Sequence, residues 1–297
     1  MEESGVITIP HGSEVRLTAE SVSIQQRDGS WVRYTPKPPP CVLVDWSRNH
    51  QGPNAAGRLV TVVYHGTPIT PNSVLMSVAG RAFCITYYYR DRLNVPLMED
   101  LATELMVDWG AFPAWKQGIV LDAEYRRGYF EWVDPLLDRP TTWAVIPDNI
   151  GAGTQELDAL IREWPHGRER GAPVYHLDAQ MMQPAERMLR LLDEFPRVCI
   201  GWAEKDLPIL GDDHQRCLDD LWNEIDKRHR RTPVIHHFRG TQLVHHRWPF
   251  ASLDSTDVAR NHNRAQNTAE GMANRWDGRQ CPARWTPIHY PQQPELC

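Results

Sequence analysis

No stretch of this 297-residue chain approaches twenty consecutive apolar residues, so no membrane-spanning helix and no membrane partner are expected. The opening residues, MEESGVITIP, carry acid where a secretory leader carries base, and no apolar run follows them, so a cytoplasmic protein is expected. Cysteine occurs at Cys41, Cys84, Cys199, Cys217, Cys281 and Cys297, never in a C-x-x-C step. That spacing argues against a zinc ribbon or a dithiol redox site and leaves free thiols. Nucleotide-cradling loops are missing too: there is no G-x-x-x-x-G-K-[ST] and no G-x-G-x-x-G, and Gly151 to Gly153 contribute only a short GAG. No cofactor and no metal are expected on these grounds.

What is present is a regular alternation. Residues 1–40 read as a polar, proline-rich extension ending in TPKPPP, a spacer that cannot join an inner strand or a packed helix. From residue 41 to 297 a single domain with a C-terminal tail is expected. Eight short β-rich runs recur: RLVTVVYHG, AFCITYYY, LMVDWGAF, TTWAVIPD, PVYHL, RVCIGW, TPVIHHF and FASLDS. Between them, apolar residues spaced by three and four predict helices over 95–105, 121–137, 154–164, 184–195 and 214–229. Strand and helix alternating in this way define an α/β protein, a (β/α)8 TIM-like barrel with an N-terminal extension; an open doubly wound sheet is the alternative.

A barrel of this kind carries its active site at the C-terminal ends of the strands. Standing there in the sequence are His65, Tyr87 to Tyr89, Asp108, Asp148, His176, Trp202 with Glu204, His236 with His237, and Asp254. Each of the three aspartates would serve either as a cap on the following helix or as a chemical group. A carboxylate cluster among aromatic residues suits chemistry at a sugar anomeric carbon, where one carboxylate attacks the cationic centre and another moves protons. Other barrel chemistries fit less well. RLVTVVYHG has His65 but no H-x-H step, and Lys205, the lysine nearest a strand end, lies in a polar turn.

Charge is unevenly distributed. The chain totals −6, yet residues 227–264 balance at +6 with six histidines, which leaves −12 on the first 226 residues. A basic segment on an acidic body suggests a localised phosphate-facing surface, with a solvated helix end around KRHRR as the alternative. His236 and His237 are neighbours on one strand and must point to opposite faces, which makes ordinary polar positions a better reading than a metal site.

Two segments carry a family resemblance. Asp108-Trp109-Gly110-Ala111-Phe112 resembles the Asp-Ser-Gly-Gly-Phe segment of the tRNA-guanine transglycosylases (queuine tRNA-ribosyltransferases). Leu253-Asp254-Ser255-Thr256-Asp257-Val258-Ala259-Arg260-Asn261 resembles their nucleophile segment, Phe-Asp-Cys-Val-x-Pro-Thr-Arg-Asn. Between the two segments, in matching order, Asp148 stands where that family has its base-recognising Asp, His176 near its Gln and Gly201 in its Gly-rich strand end. The texture of YHGTPITP and TTWAVIPD is closer still to the phage and prophage branch, the deazapurine DNA-modification proteins. The resemblance covers roughly residues 59–264. It implies a pentosyltransferase that exchanges guanine in a polynucleotide, DNA or alternatively tRNA, for a 7-deazaguanine base.

In that scheme Asp254 is the nucleophile and Asp108 the general acid and base. Asp148, His176, Gly201, Trp109, Tyr87 and Tyr88 surround the base, and Arg247, Arg260 and Arg264 hold phosphates. The chain departs from the family in three places. Cys281 and Cys297 stand alone where the tRNA enzymes have a zinc-binding cysteine cluster, Asp257 to Arg260 replaces Pro-Thr-Arg, and Trp109 replaces a small residue. Two further readings remain open: a nucleosidase or DNA glycosylase using water as acceptor, and a noncatalytic nucleic-acid-binding barrel.

Overall fold

The computed structural model describes residues 60–177, 184–202, 207–264, 266–288 and 290, together with the backbone of four N-terminal strands. The chain divides into two compact units, Met1–Val42 and Leu43–Cys297. The first contains β1 (Gly5–Thr8), β2 (Glu14–Thr18), β3 (Ser21–Gln25) and β4 (Trp31–Tyr34) in an antiparallel meander of that order. The N-terminal stretch thus contains a small antiparallel sheet.

The second unit opens with β5 (Val62–Gly66) and continues through α1 (Asn72–Met76), β6 (Arg81–Thr86), α2 (Val95–Leu101), β7 (Ala102–Asp108), α3 (Ala111–Lys116) and α4 (Ala123–Val133). Next come β8 (Thr142–Val145), α5 (Thr154–Arg162), β9 (Gly171–Ala172), β10 (Val174–Leu177), α6 (Ala185–Glu194) and β11 (Val198–Trp202). The last elements are α7 (Asp212–Arg228), β12 (Ile235–His237), β13 (Ser252–Ser255), α8 (Asp257–Asn261) and α9 (Ala269–Asp277). The strands pair in the order β10-β11-β12-β13-β5-β6-β7-β8-β9, every pair parallel, as a nearly closed α/β barrel of nine strands consistent with the TIM-like expectation.

Nine strands arise from eight expected runs because β9 and β10 flank a single residue, Pro173. Proline has no N–H for the ladder, and here the chain changes partner, from β8 before it to β11 after it. The helix expected over 95–105 stops at Leu101, because the run that follows is claimed by β7. The expected C-terminal tail is partly packed: Met272 and Ala273 of α9 lie in one core cluster and Cys281 and Trp285 in another.

Side-chain parity organises the barrel. Successive residues of a strand face opposite sides, so Tyr64, Ala82, Cys84, Met106, Trp143, Val145, Val174 and Cys199 fill the interior. Phe83, Ile85, Leu105 and Val107 point outward into one apolar sheath, and Tyr175, Leu177, Val198, Ile200 and Leu253 into another. Toward the strand N-termini the interior turns polar, with Glu104 accepting from the Tyr64 hydroxyl and Arg197 Nη2 lying 3.7 Å from Glu104. The same alternation brings Thr86, Asp108, His176, Gly201 and Asp254 to the C-terminal mouth.

Candidate active site

Asp108 ends β7 two residues beyond the buried Met106, on the same inward face, and pairs in register with Thr86. The turn behind it depends on Gly110, whose φ of +99° is left-handed and whose missing Cβ would lie 2.5 Å from Tyr88 Cβ. Only glycine fits such a position without strain. The Gly110 N–H turns back toward the Asp108 carboxylate. Burial, then the charges of Asp148 and Asp254, outweigh that hydrogen bond and the one from Thr86, and lift the Asp108 pKa from 3.8 to about 7.

Asp148 follows β8 and is held at both oxygens. Trp109 Nε1 donates to Oδ1 at 3.0 Å, and His176 Nε2 lies 2.9 Å from Oδ2. A carboxylate has about four lone-pair positions, so roughly half of its accepting capacity remains for a ligand. Gly201 makes room for His176: the two residues are in register on neighbouring strands, and a Cβ at Gly201 would lie 3.2 Å from His176 Nδ1.

Asp254 is 7% exposed on β13 and receives the backbone N–H of Arg239 at 2.6 Å. His236 Nε2 stands 3.4 Å from the same oxygen, and its Nδ1 is 2.9 Å from Ser252 Oγ. Burial pushes the His236 pKa down, against the opposing pull of Asp254, so the ring is neutral at pH 7. If Ser252 donates to Nδ1, the neutral ring carries its proton on Nε2, the nitrogen nearer Asp254.

None of the three aspartates is a helix cap. The N-cap positions of α3, α5 and α8 are Gly110, Gly153 and Thr256, with no side-chain cap hydrogen bond at any of them. Three carboxylates therefore stand at one mouth in three settings: Asp254 clamped by a backbone N–H and a neutral histidine, Asp148 held by an indole and an imidazole, and Asp108 able to hold a proton near neutrality. That division of states is what acid–base and nucleophilic work on one substrate requires.

Several expected site residues have other positions. Trp109 is fully buried, so it does not stack on a base; its indole orients Asp148 from behind. Tyr87 follows the inward Thr86 and so faces outward, packed on Tyr125 and Trp132 with the Arg90 guanidinium 4.2 Å above its ring. It belongs to the sheath. Tyr88 is half-buried beside Gly110 and stays at the mouth. Arg247 is not a free phosphate ligand: its fork grips the fully buried Asp219 at 2.8 and 2.7 Å, while Nη1 reaches Gln215. Arg260 and Arg264 are exposed beyond the C-terminal end of β13.

His65 points outward to Asp277 of α9 at 3.0 Å. His237 also faces out, toward His214 and Phe250, opposite to His236. Glu204, Lys205, Cys41 and Cys297 lie outside the described residues, as does the Trp202 side chain. Among the described residues no group of three or more His, Cys, Asp or Glu is arranged to hold a metal ion, and no helix is long and apolar enough to cross a membrane.

Arg239 carries no signal in a linear reading, and Phe112 stands there only as the end of the Asp108 segment. Arg239 adopts φ +53°, which turns its N–H onto Asp254, and its guanidinium lies 4.3 Å over the ring of Phe112, just past Asp108 in α3. One residue thus links the Asp254 and Asp108 sides of the mouth. No family model matches the chain, and neither a curated protein nor a solved structure matches it. The transglycosylase resemblance rests on the segments quoted from the sequence.

Proposed function

We propose that this protein is a base-exchanging transglycosylase that replaces guanine in a polynucleotide, DNA ahead of tRNA, with a 7-deazaguanine base. The observation that supports the reading best is the meeting of Asp254, Asp108 and Asp148 at one barrel mouth in distinct electrostatic settings. Asp254 attacks C1′, forming a carbon–oxygen bond to the sugar as the C1′–N9 bond breaks. Asp108 enters protonated and gives its proton to the departing purine. The incoming base then attacks C1′ through its own ring nitrogen, Asp108 takes the proton from that nitrogen, and the Asp254–sugar bond breaks. The remaining lone pairs of Asp148 suit adjacent N–H donors on the guanine edge. Such a mouth cannot admit a stacked base, so the nucleotide is flipped out or single-stranded.

The test is to incubate the protein with a guanine-containing oligonucleotide and a 7-deazaguanine base, then digest and identify the nucleosides by mass spectrometry. Incorporation of the deazapurine, lost in Asp254→Asn while oligonucleotide binding persists, is the expected result. Release of guanine without incorporation would make the protein a hydrolase with water as acceptor. Neither product from DNA or tRNA would overturn glycosyl chemistry altogether.

A further inference from the structure

A second cluster of charge sits at the other end of the barrel. The connection between α7 and β12 lies at the strand N-termini, away from the mouth. There a cleft of about 190 Å³ is lined by Trp222, His229, Arg230, Arg231 and Arg284, with Asp226 as the acidic residue. At ~30 Å³ per water the space holds roughly six waters, which is room for one or two phosphate groups.

The cleft is assembled from two distant stretches of chain. Asn223 of α7 accepts from Trp285 Nε1 at 3.0 Å and donates to the Ile288 carbonyl at 2.7 Å, and Thr232 Oγ1 donates to the Ala283 carbonyl at 3.1 Å. These bonds strap residues 283–288 across the helix end and bring Arg284 to Arg230 and Arg231. The earlier cations of the same run are neutralised, Lys227 by Glu224 and Arg228 by Asp193. Arg230, Arg231 and Arg284 are in no ion pair among the described residues, although the chain as a whole is acidic at −6. Trp222, 1% exposed, adds a buried Nε1–H with no acceptor among the described residues.

Three arginines lining one cleft with one acidic residue among them leave an excess of positive charge there, and the Trp222 N–H is a buried donor without a partner among the described residues. An anion seated in the cleft would balance that charge. We propose that this cleft is a phosphate-binding site, separate from the mouth, in which Arg230, Arg231 and Arg284 grip the oxygens and Trp222 borders the anion. Arginine forks match phosphate geometry in pairs, which favours phosphate over a halide or a single carboxylate. Two sources supply such groups, a small polyphosphate or a stretch of polynucleotide backbone passing the far end of the barrel.

Calorimetric titration at constant ionic strength, with pyrophosphate in one arm and a single-stranded oligonucleotide in the other, tests the site. Wild type should bind at least one probe, and Arg284→Ala and Arg230→Ala should each weaken that binding about tenfold, the loss expected for one charge-assisted contact. Arg162→Ala, at an exposed position of α5 outside the cleft, should leave pyrophosphate affinity unchanged. The arm that responds to Arg284→Ala names the source. Binding of neither probe, or equal affinity in wild type, Arg284→Ala and Arg230→Ala, overturns the proposal. Unchanged melting temperatures in these exposed variants separate a lost contact from a lost fold.

Discussion

Replacing Asp108 by asparagine should make the protein more stable while removing its chemistry. In the folded state this carboxyl titrates at about 7 instead of 3.8, chiefly because it is buried and secondly because Asp148 and Asp254 face it. Below pH 3.8 it is protonated in folded and unfolded chains alike and has no effect. As the pH rises from there toward 7 the unfolded chain releases the proton first, so stability falls, and above 7 the whole cost remains. At 1.36 kcal/mol per unit the cost is roughly 2 kcal/mol at pH 5 and about 4 kcal/mol at pH 8. Asparagine has the same shape, can still accept from the Gly110 N–H, and carries no charge for Asp148 and Asp254 to repel. Asp108→Asn should therefore gain little below pH 4 and progressively more up to pH 8. A gain of even about 2 kcal/mol there moves the melting temperature up by roughly 4–8 °C in a domain of this size. Thermal and urea unfolding of both proteins between pH 4 and 8 measures this directly. A variant less stable than wild type at pH 8, or two parallel pH profiles, would refute the assignment of a neutral-pH proton to Asp108.

The histidines behind β12 act in the opposite direction: burial lowers the His237 pKa to about 3 and that of His214 to about 4, so stability present above pH 6.5 is lost as the pH falls toward those values, and His237→Phe should flatten the acid limb in urea titrations. Arg247→Ala strands the buried Asp219 with Trp248 Nε1 and the Tyr290 hydroxyl as its remaining donors and should cost about 3 kcal/mol of stability, with no change in oligonucleotide affinity. Arg260→Ala and Arg264→Ala should do the reverse, leaving the melting temperature alone and each reducing the slope of log affinity against log salt by about 1.

The barrel was legible because its signals are local. All eight β-rich runs became strands, since each combines β-branched or aromatic residues with a turn behind it, and the amphipathic helices followed from spacing except over 102–105, which β7 claims. The three aspartates were legible for the same reason, as polar residues closing apolar strands. What failed was parity. Counting in twos back from Asp108 or Asp254 puts Met106, Glu104 and Ser252 inside, and the same count from Thr86 sends Tyr87 outward to the sheath. Applied to β5, it puts Tyr64 inside and turns His65 toward Asp277. His236 could have been recognised as the partner of Asp254 by this rule. Arg239 could not, because its role lies in a backbone N–H and a left-handed turn that its side-chain chemistry does not announce.

The basic segment fails as a unit for a topological reason. In an alternating barrel one strand carries the chain from one end of the molecule to the other, so a window of forty residues samples both ends. Lys227 to Arg231 precede β12 and lie at the strand N-termini, Arg239 follows β12 at the mouth, and Arg260 and Arg264 follow β13 at the mouth. A local charge of +6 is thus divided between two surfaces facing opposite ways. Assigning each charge to the strand end it follows or precedes separates them again: Arg239, Arg260 and Arg264 follow β12 and β13 on the side of the mouth, where the proposed polynucleotide would lie, and the run before β12 faces the proposed phosphate site at the opposite end.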